Sequence, residues 1–251
     1  MKKLFLATIS GFLIITNSFG MDAKEKTGFF VGIDLNAATF KYSDDIQKNL
    51  MLPSNEASLG THYKTSFNYG VKIGYQFYGT PHHGLRLGAH LNMGDYSLSM
   101  EDGSQTTAGI YIEKKASYFA LRYGMDMDYL FDFYNSLNTS LGLSAGVGYE
   151  FANYINGKTN INFAGNGNGN LISFQNSLFG NGAYINVGLH YYFKKHQFAF
   201  ETRLPFSVFG SDSYSADGST KAIPEKSSSF VYQNVKITAN ASYHFNYAYL
   251  F

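Results

Sequence analysis

The chain contains no cysteine, so neither a disulfide nor a thiolate metal site holds it together. It has no tryptophan, which leaves any anchoring at a membrane interface to Tyr and Phe. Four prolines in 251 residues leave long stretches in which a strand can run unbroken. Nineteen Lys and Arg against 18 Asp and Glu give a net charge of +1, which argues against a nucleic-acid partner. After the first twenty residues there is no window of eighteen apolar residues, and a mean hydropathy of −0.18 excludes a bundle of transmembrane helices. What is plentiful is Tyr (21), Phe (23) and Gly (26), a composition that favours β-structure with aromatic side chains at a rim or core.

The first twenty residues have the form of an export signal. Lys2 and Lys3 precede an apolar run from Leu4 to Ile15, and Ser18 to Gly20 makes a small-x-small cleavage site. Cleavage is expected after Gly20, leaving residues 21–251 as one domain that starts at Met21. Export without a helical span leaves the periplasm, the outer membrane or the medium.

The end of the chain, Val235 to Phe251, alternates. Val235, Ile237, Ala239, Ala241, Tyr243, Phe245, Tyr247, Tyr249 and Phe251 fall on one face, and mostly polar residues fall on the other. This predicts one long strand with its apolar side toward lipid. A terminal Phe preceded by aromatic or apolar residues at alternate positions resembles the C-terminal signal of Gram-negative outer-membrane barrels. The resemblance covers Ser242 to Phe251 and implies that Tyr243, Phe245, Tyr247, Tyr249 and Phe251 are read by the barrel assembly machinery. The Tyr/Phe/Asn/Gly-rich, tryptophan-free character is also similar to small outer-membrane proteins of Helicobacter and its relatives.

Seven further strands are predicted by the same alternation. They begin at Gly28, Ser66, Gly84, Lys114, Leu137, Gly182 and Gln197. A phase slip near Gly94 and Asp95 suggests a bulge, after which Tyr96 and Leu98 would continue the outward apolar set. Connections alternate in length, long ones starting at Lys41, Met100, Ala152 and Gly210 and short ones at Thr80, Asp132 and Lys194. The fold expected is therefore all-β, an eight-stranded antiparallel up-and-down transmembrane β-barrel of the OmpA/OmpX kind, with both termini on the short-turn side. Ten strands remain open if Asn160 to Phe174 enters the membrane, but its arms are short and an external hairpin is the expectation. A secreted soluble barrel would turn its apolar face inward. Here the apolar face carries the aromatics and the other face is rich in Gly, Ser and Asn, which suits a narrow interior.

With apolar faces outward, the interior receives Asp34, Lys72, Arg86, Arg122, Asp126, Asp128, Glu150, Glu201, Arg203 and Lys236, with His90, His190 and His244 among them. Eight strands leave room only for side chains, and charges in such a space must be paired. Equal numbers of each sign point to a salt-bridged, plugged lumen, with a narrow porin or small-solute channel as the alternative. For an enzyme, no serine is expected two residues from a histidine on one face. His82-His83 is a weak metal pair, and Asp126 with Asp128 is more economically an ion-paired set than an acid/base pair, so neither catalysis, a metal nor a cofactor is expected. The long connections hold Tyr42, His62, Tyr63, Tyr154 and Tyr214 amid small polar residues, a composition suited to surface binding. The Asn-Gly run from Gly165 is expected to be a loop tip. The expected partners are outer-membrane lipid and lipopolysaccharide, the assembly machinery, and an extracellular or host ligand held in an adhesin-like role.

Overall fold

The computed structural model describes residues 20–48, 57–102, 111–164, 170–206, 215–222 and 231–251. The proposed export signal up to residue 19, Pro53, Tyr214 and the Asn-Gly run at 165–169 lie outside the described residues. The strands are β1 (Gly28–Lys48), β2 (Ala57–Thr80), β3 (His83–Asp102), β4 (Tyr111–Asn135), β5 (Thr139–Ala164), β6 (Asn170–Phe193), β7 (His196–Pro205), β8 (Ser215–Ala222) and β9 (Val231–Leu250). All pairings are antiparallel. Each strand from β1 to β6 pairs with the next, and the sheet closes through β1 and β9, where Phe30 faces Leu250 and Lys48 faces Val231.

The ninth strand does not add a wall to the barrel. β7 and β8 occupy the same place between β6 and β9, β7 at the end holding the termini and β8 beyond it. Arg203 pairs with Ser242 and Ser215 with Thr238, so β8 continues the line of β7 along β9. β8 lies within the long connection expected to start at Gly210. Pro205, which has no N–H for the ladder, ends β7.

The other long connections are also largely strand. β5 is 26 residues long, where about 9–11 suffice to cross a membrane. At about 3.3 Å per residue and a tilt of about 45°, such a strand stands roughly 60 Å tall, more than twice the roughly 25 Å apolar band of outer-membrane barrels. The hairpins therefore project well past the lipid. Of the stretch Asn160 to Phe174, the described residues 160–164 and 170–174 belong to this projection, with Phe163 paired to Asn170.

Outward-facing side chains form the lipid-facing belt. Phe29, Val31, Ile33 and Leu35 on β1, and Phe67 to Phe77 at alternate positions on β2, are all exposed and apolar. Above it the outer face turns polar, at Lys41 and Ser43 on β1 and at Ser97 and Ser99 on β3. No helix among the described residues is long and apolar enough to cross a membrane.

Two phase expectations are corrected. The ladder between β3 and β4 runs in register from His83 to Asp102 with no bulge, and Tyr96 and Leu98 are buried inside the barrel. In β9 the register against β1 shifts between Ala38 and Phe40, so that strand changes phase near Ala241. Val235, Ile237 and Ala239 then point inward, while Tyr243, Phe245 and Tyr249 point to lipid. Both corrections have one cause: near the hairpin end the interior itself becomes apolar, so alternation no longer marks which side is which.

Candidate functional site

The interior is built in three layers along the barrel axis. At the terminal end, Met21, Phe30, Tyr78, Leu130, Tyr192, Ala248 and Leu250 form an apolar cluster. Residues 20–27 fold into this mouth. The Met21 N–H donates to the Ser136 carbonyl at 2.9 Å and to Asn135 Oδ1 at 3.0 Å. Lys26 Nζ reaches inward to Asp132 at 2.6 Å and to the Pro81 carbonyl at 2.5 Å. Asp132 also holds His190 Nε2 at 2.6 Å and accepts from Ser140 and Tyr78. Burial pulls the Lys26 ammonium below its ordinary value, and the neighbouring Asp132 opposes that shift without cancelling it.

The middle layer gathers nine of the ten expected luminal charges. Arg86 on β3 donates from Nε to Asp128 on β4 at 2.8 Å, and its Nη2 bridges Asp128 to Glu201 on β7. Lys72 lies 3.2 Å from Asp126 and 3.5 Å from Glu201. Glu150 on β5 takes Arg122 Nε at 2.6 Å and His90 Nε2 at 3.0 Å, with Arg203 at 3.6 Å. Arg203 also lies 3.7 Å from Asp126 and 5.0 Å from the Tyr184 ring centroid. Asp34 pairs with His244 Nδ1 at 2.9 Å and accepts from Asn92 at 3.0 Å. Glycines on the inner face make room for these groups. A Cβ at Gly146 would meet the Met127 carbonyl and Asp128 Oδ1, and one at Gly88 would lie 2.7 Å from Asp126 Oδ1.

Lys236 is the exception. Because β9 changes phase, it sits half-buried on the outer face of the projecting hairpins, opposite Asp217 on β8, and takes no part in the luminal set. Conversely, Lys26 and Asp132 belong to the interior and were not anticipated. Asp132 was legible, since it continues the even-numbered inward line of β4 through Asp126, Asp128 and Leu130. Nothing in the sequence marks Lys26, whose place depends on a chain reversal before β1.

The third layer, at the hairpin end, is aromatic and aliphatic: Phe40, Tyr42, Tyr96, Leu98, Tyr118, Tyr154, Leu178, Val235 and Ile237 with small alanines between. Tyr96 and Tyr154 pack edge to face at 5.3 Å, and Tyr96 OH accepts from Arg122 at 3.3 Å, joining this layer to the charges below. Burial pushes the phenols of Tyr42 and Tyr118 up. Tyr42 and Tyr154 were expected on surface loops. They are 1% and 3% exposed and point into the barrel. Tyr63 does face outward, 65% exposed, and His62 is half-buried.

The expectation that no serine accompanies a histidine is also corrected. Ser242 Oγ lies 2.9 Å from His244 Nε2, and His244 Nδ1 lies 2.9 Å from Asp34. This is the order of a nucleophile, base and orienting acid. However, the three are 2%, 0% and 0% exposed, so no carbonyl substrate reaches the hydroxyl. Among the described residues no group of three or more metal-ligating side chains has the geometry to hold an ion.

At the chain end, Tyr243, Phe245, Tyr247, Tyr249 and Phe251 share the outer face of the last strand. The Phe251 N–H donates to the Phe29 carbonyl at 2.9 Å, and its ring stands edge-on to Tyr249 at 5.2 Å.

A family model described as Helicobacter outer membrane protein matches residues 70–251. No curated protein matches the chain. Among solved structures, the outer membrane protein OprG from Pseudomonas aeruginosa is 16% identical with a TM-score of 0.44, over 92% of this chain and 98% of that one. Neisserial surface protein A is 11% identical with a TM-score of 0.33, over 89% and 97%. Ail, the attachment invasion locus protein of Yersinia pestis, is 10% identical with a TM-score of 0.26, over 84% and 98%. These likenesses are remote, and nothing about this chain's ligands follows from them.

Proposed function

We propose, for a chain that belongs to the Helicobacter outer membrane protein family, a closed barrel that displays its projecting hairpins at the cell surface in a structural or adhesin-like role, without enzymatic activity. The protein is an integral outer-membrane β-barrel. The closed lumen is supported by the three buried layers. Apolar clusters bracket a middle layer whose carboxylates each meet a cation or histidine, so neither a wet path nor a field of one sign is provided. Display is supported by strand length, because about half of each long strand stands beyond the lipid belt.

In this reading the export signal is removed after Gly20, and residues 21–27 seal the periplasmic mouth. The terminal aromatic strand guides insertion by the assembly machinery, and the hairpins meet an extracellular or host ligand. The decisive experiment is single-channel recording of the refolded mature protein in a planar bilayer. A silent bilayer containing inserted protein is expected. Steady, reproducible openings would overturn the closed lumen in favour of a narrow channel lined by the middle layer.

A further inference from the structure

Two side chains anchor the segment that fills the terminal mouth. Met21 is 2% exposed and Lys26 is 0% exposed, whereas Asp22, Lys24 and Glu25 face out. The backbone is tied to the barrel at a few points. Asn135 accepts from the Met21 N–H and donates to the Met21 carbonyl, both at 3.0 Å, and the Ser136 carbonyl shares that N–H at 2.9 Å. Gln76 Nε2 donates to the Lys26 carbonyl at 2.6 Å, and the Tyr78 N–H donates to Thr27 Oγ1 at 2.9 Å. A segment held this lightly opens at far less cost than a strand of the ladder.

Lys26 ends in a cage that suits a primary amine. Its Nζ lies 2.6 Å from Asp132 Oδ2, 2.5 Å from the Pro81 carbonyl, 3.5 Å from Ser140 Oγ and 4.7 Å from the Tyr78 ring centroid. Three acceptors and an aromatic face match a group that carries three N–H donors and a positive charge. A planar guanidinium does not fit that arrangement, and a quaternary ammonium has no N–H to donate.

The cage keeps its shape without Lys26. Asp132 Oδ1 takes His190 Nε2 at 2.6 Å and Tyr78 OH at 3.1 Å, and Asp132 Oδ2 accepts from Ser140 Oγ at 2.5 Å. The Asp132 N–H donates to the His82 carbonyl at 2.8 Å. Tyr78 is flanked in turn by Tyr192, edge to face at 6.2 Å. Pro81 lies in the turn between β2 and β3 and Ser140 on β5, so these walls belong to the barrel and not to the segment. Burial meanwhile works against the Lys26 ammonium, which leaves its docking open to competition.

We propose that this cage is an exchangeable site for a straight-chain primary amine, which displaces Lys26 and releases residues 21–27 from the mouth. Lys26 is the occupant that the chain itself supplies, and a free amine reaches the same acceptors without closing the mouth. The seal is then one that a small aliphatic amine loosens from the terminal side. The exchange is confined to the mouth, so it requires neither a closed lumen nor a particular orientation of the hairpins.

The test is hydrogen exchange of residues 21–27, read by mass spectrometry, in the refolded chain 21–251 in detergent micelles at neutral pH. n-Propylamine, which has the heavy atoms that Lys26→Ala removes, is compared with tetramethylammonium at matched ionic strength. In the unchanged chain propylamine should raise exchange of the segment severalfold. In Lys26→Ala, whose segment starts looser, the same amine should fill the emptied cage and lower exchange. Opposite signs in the two chains separate the site from a general effect of the amine on the fold. Half of the effect should come at about tenfold lower concentration in Lys26→Ala, because no lysine competes there. Propylamine that moves both chains in one direction, or that tetramethylammonium matches, would overturn the site. Tightening of Lys26→Ala with no loosening of the unchanged chain would mark a purely structural lysine and overturn the exchange. Adding Asp132→Asn to Lys26→Ala should abolish the tightening, and its survival there would overturn the assigned cage. Should that double variant not fold, tetramethylammonium on Lys26→Ala alone carries the same decision.

Discussion

Replacing Arg86 with Met should destabilise the barrel considerably more than replacing Arg122 with Met, although both arginines are buried in the same layer. The difference lies in what each change leaves behind. Without Arg86, Asp128 keeps Asn186 at 2.6 Å but loses its cation, and Glu201 keeps Lys72 at 3.5 Å and Asn246 at 3.0 Å. A buried carboxylate stranded in this way costs about 3–5 kcal/mol. Without Arg122, Glu150 still has His90 at 3.0 Å and Arg203 at 3.6 Å, so the loss is nearer that of one charged hydrogen bond, about 1.5–3 kcal/mol. Changing Arg86→Met together with Asp128→Leu removes both members of the pair and should recover much of the loss. The chain has no tryptophan to report unfolding. Urea titration in phospholipid vesicles, followed by far-ultraviolet circular dichroism and gel mobility, therefore gives the midpoints and slopes. Equal, small shifts for both single variants, with unchanged slopes, would refute the argument that pairing in this layer fixes the barrel.

Three other outcomes are expected. Deleting Phe251 removes a lipid-facing ring and the Phe251 N–H bond to the Phe29 carbonyl, and should lower the folded protein recovered in the outer membrane several-fold; normal accumulation would refute the assembly role. Gly146→Ala drives a methyl group into the Met127 carbonyl and Asp128, and should cost about 1–3 kcal/mol in the same urea assay. At the mouth that holds the chain termini, the Lys26 ammonium is held below its ordinary 10.5 by burial, so the docked segment sheds its proton before the undocked one does. Docking should therefore tighten as pH climbs through the lowered value toward 10.5, with no such gain near neutrality, and Lys26→Met should flatten that response in hydrogen exchange of residues 21–27.

The sequence by itself determined the class of fold, because period-two alternation is local. Phe29 to Leu35, Phe67 to Phe77 and Leu121 to Tyr129 needed no partner to show which side meets lipid. The short turns near Thr80, Asp132 and Lys194 made neighbouring strands antiparallel. Nine of the ten luminal charges were found in the same way, since each lies opposite an apolar run on its own strand. That method works only while one face is apolar and the other is not. Toward the hairpin end both faces carry hydrophobic residues, and there Tyr96 and Leu98 mimicked a bulge that β3 lacks, while Val235 to Ala241 concealed one that β9 has. Lys236 was lost with that phase, and Tyr42 and Tyr154 turned from expected surface residues into core. Only the tertiary structure decided these sides, because a one-residue shift in pairing reverses every side chain beyond it, and that shift is set by the neighbouring strand. Which carboxylate meets which cation was equally out of reach, since Arg86 and Glu201 come together, 115 residues apart, only when the sheet closes on itself.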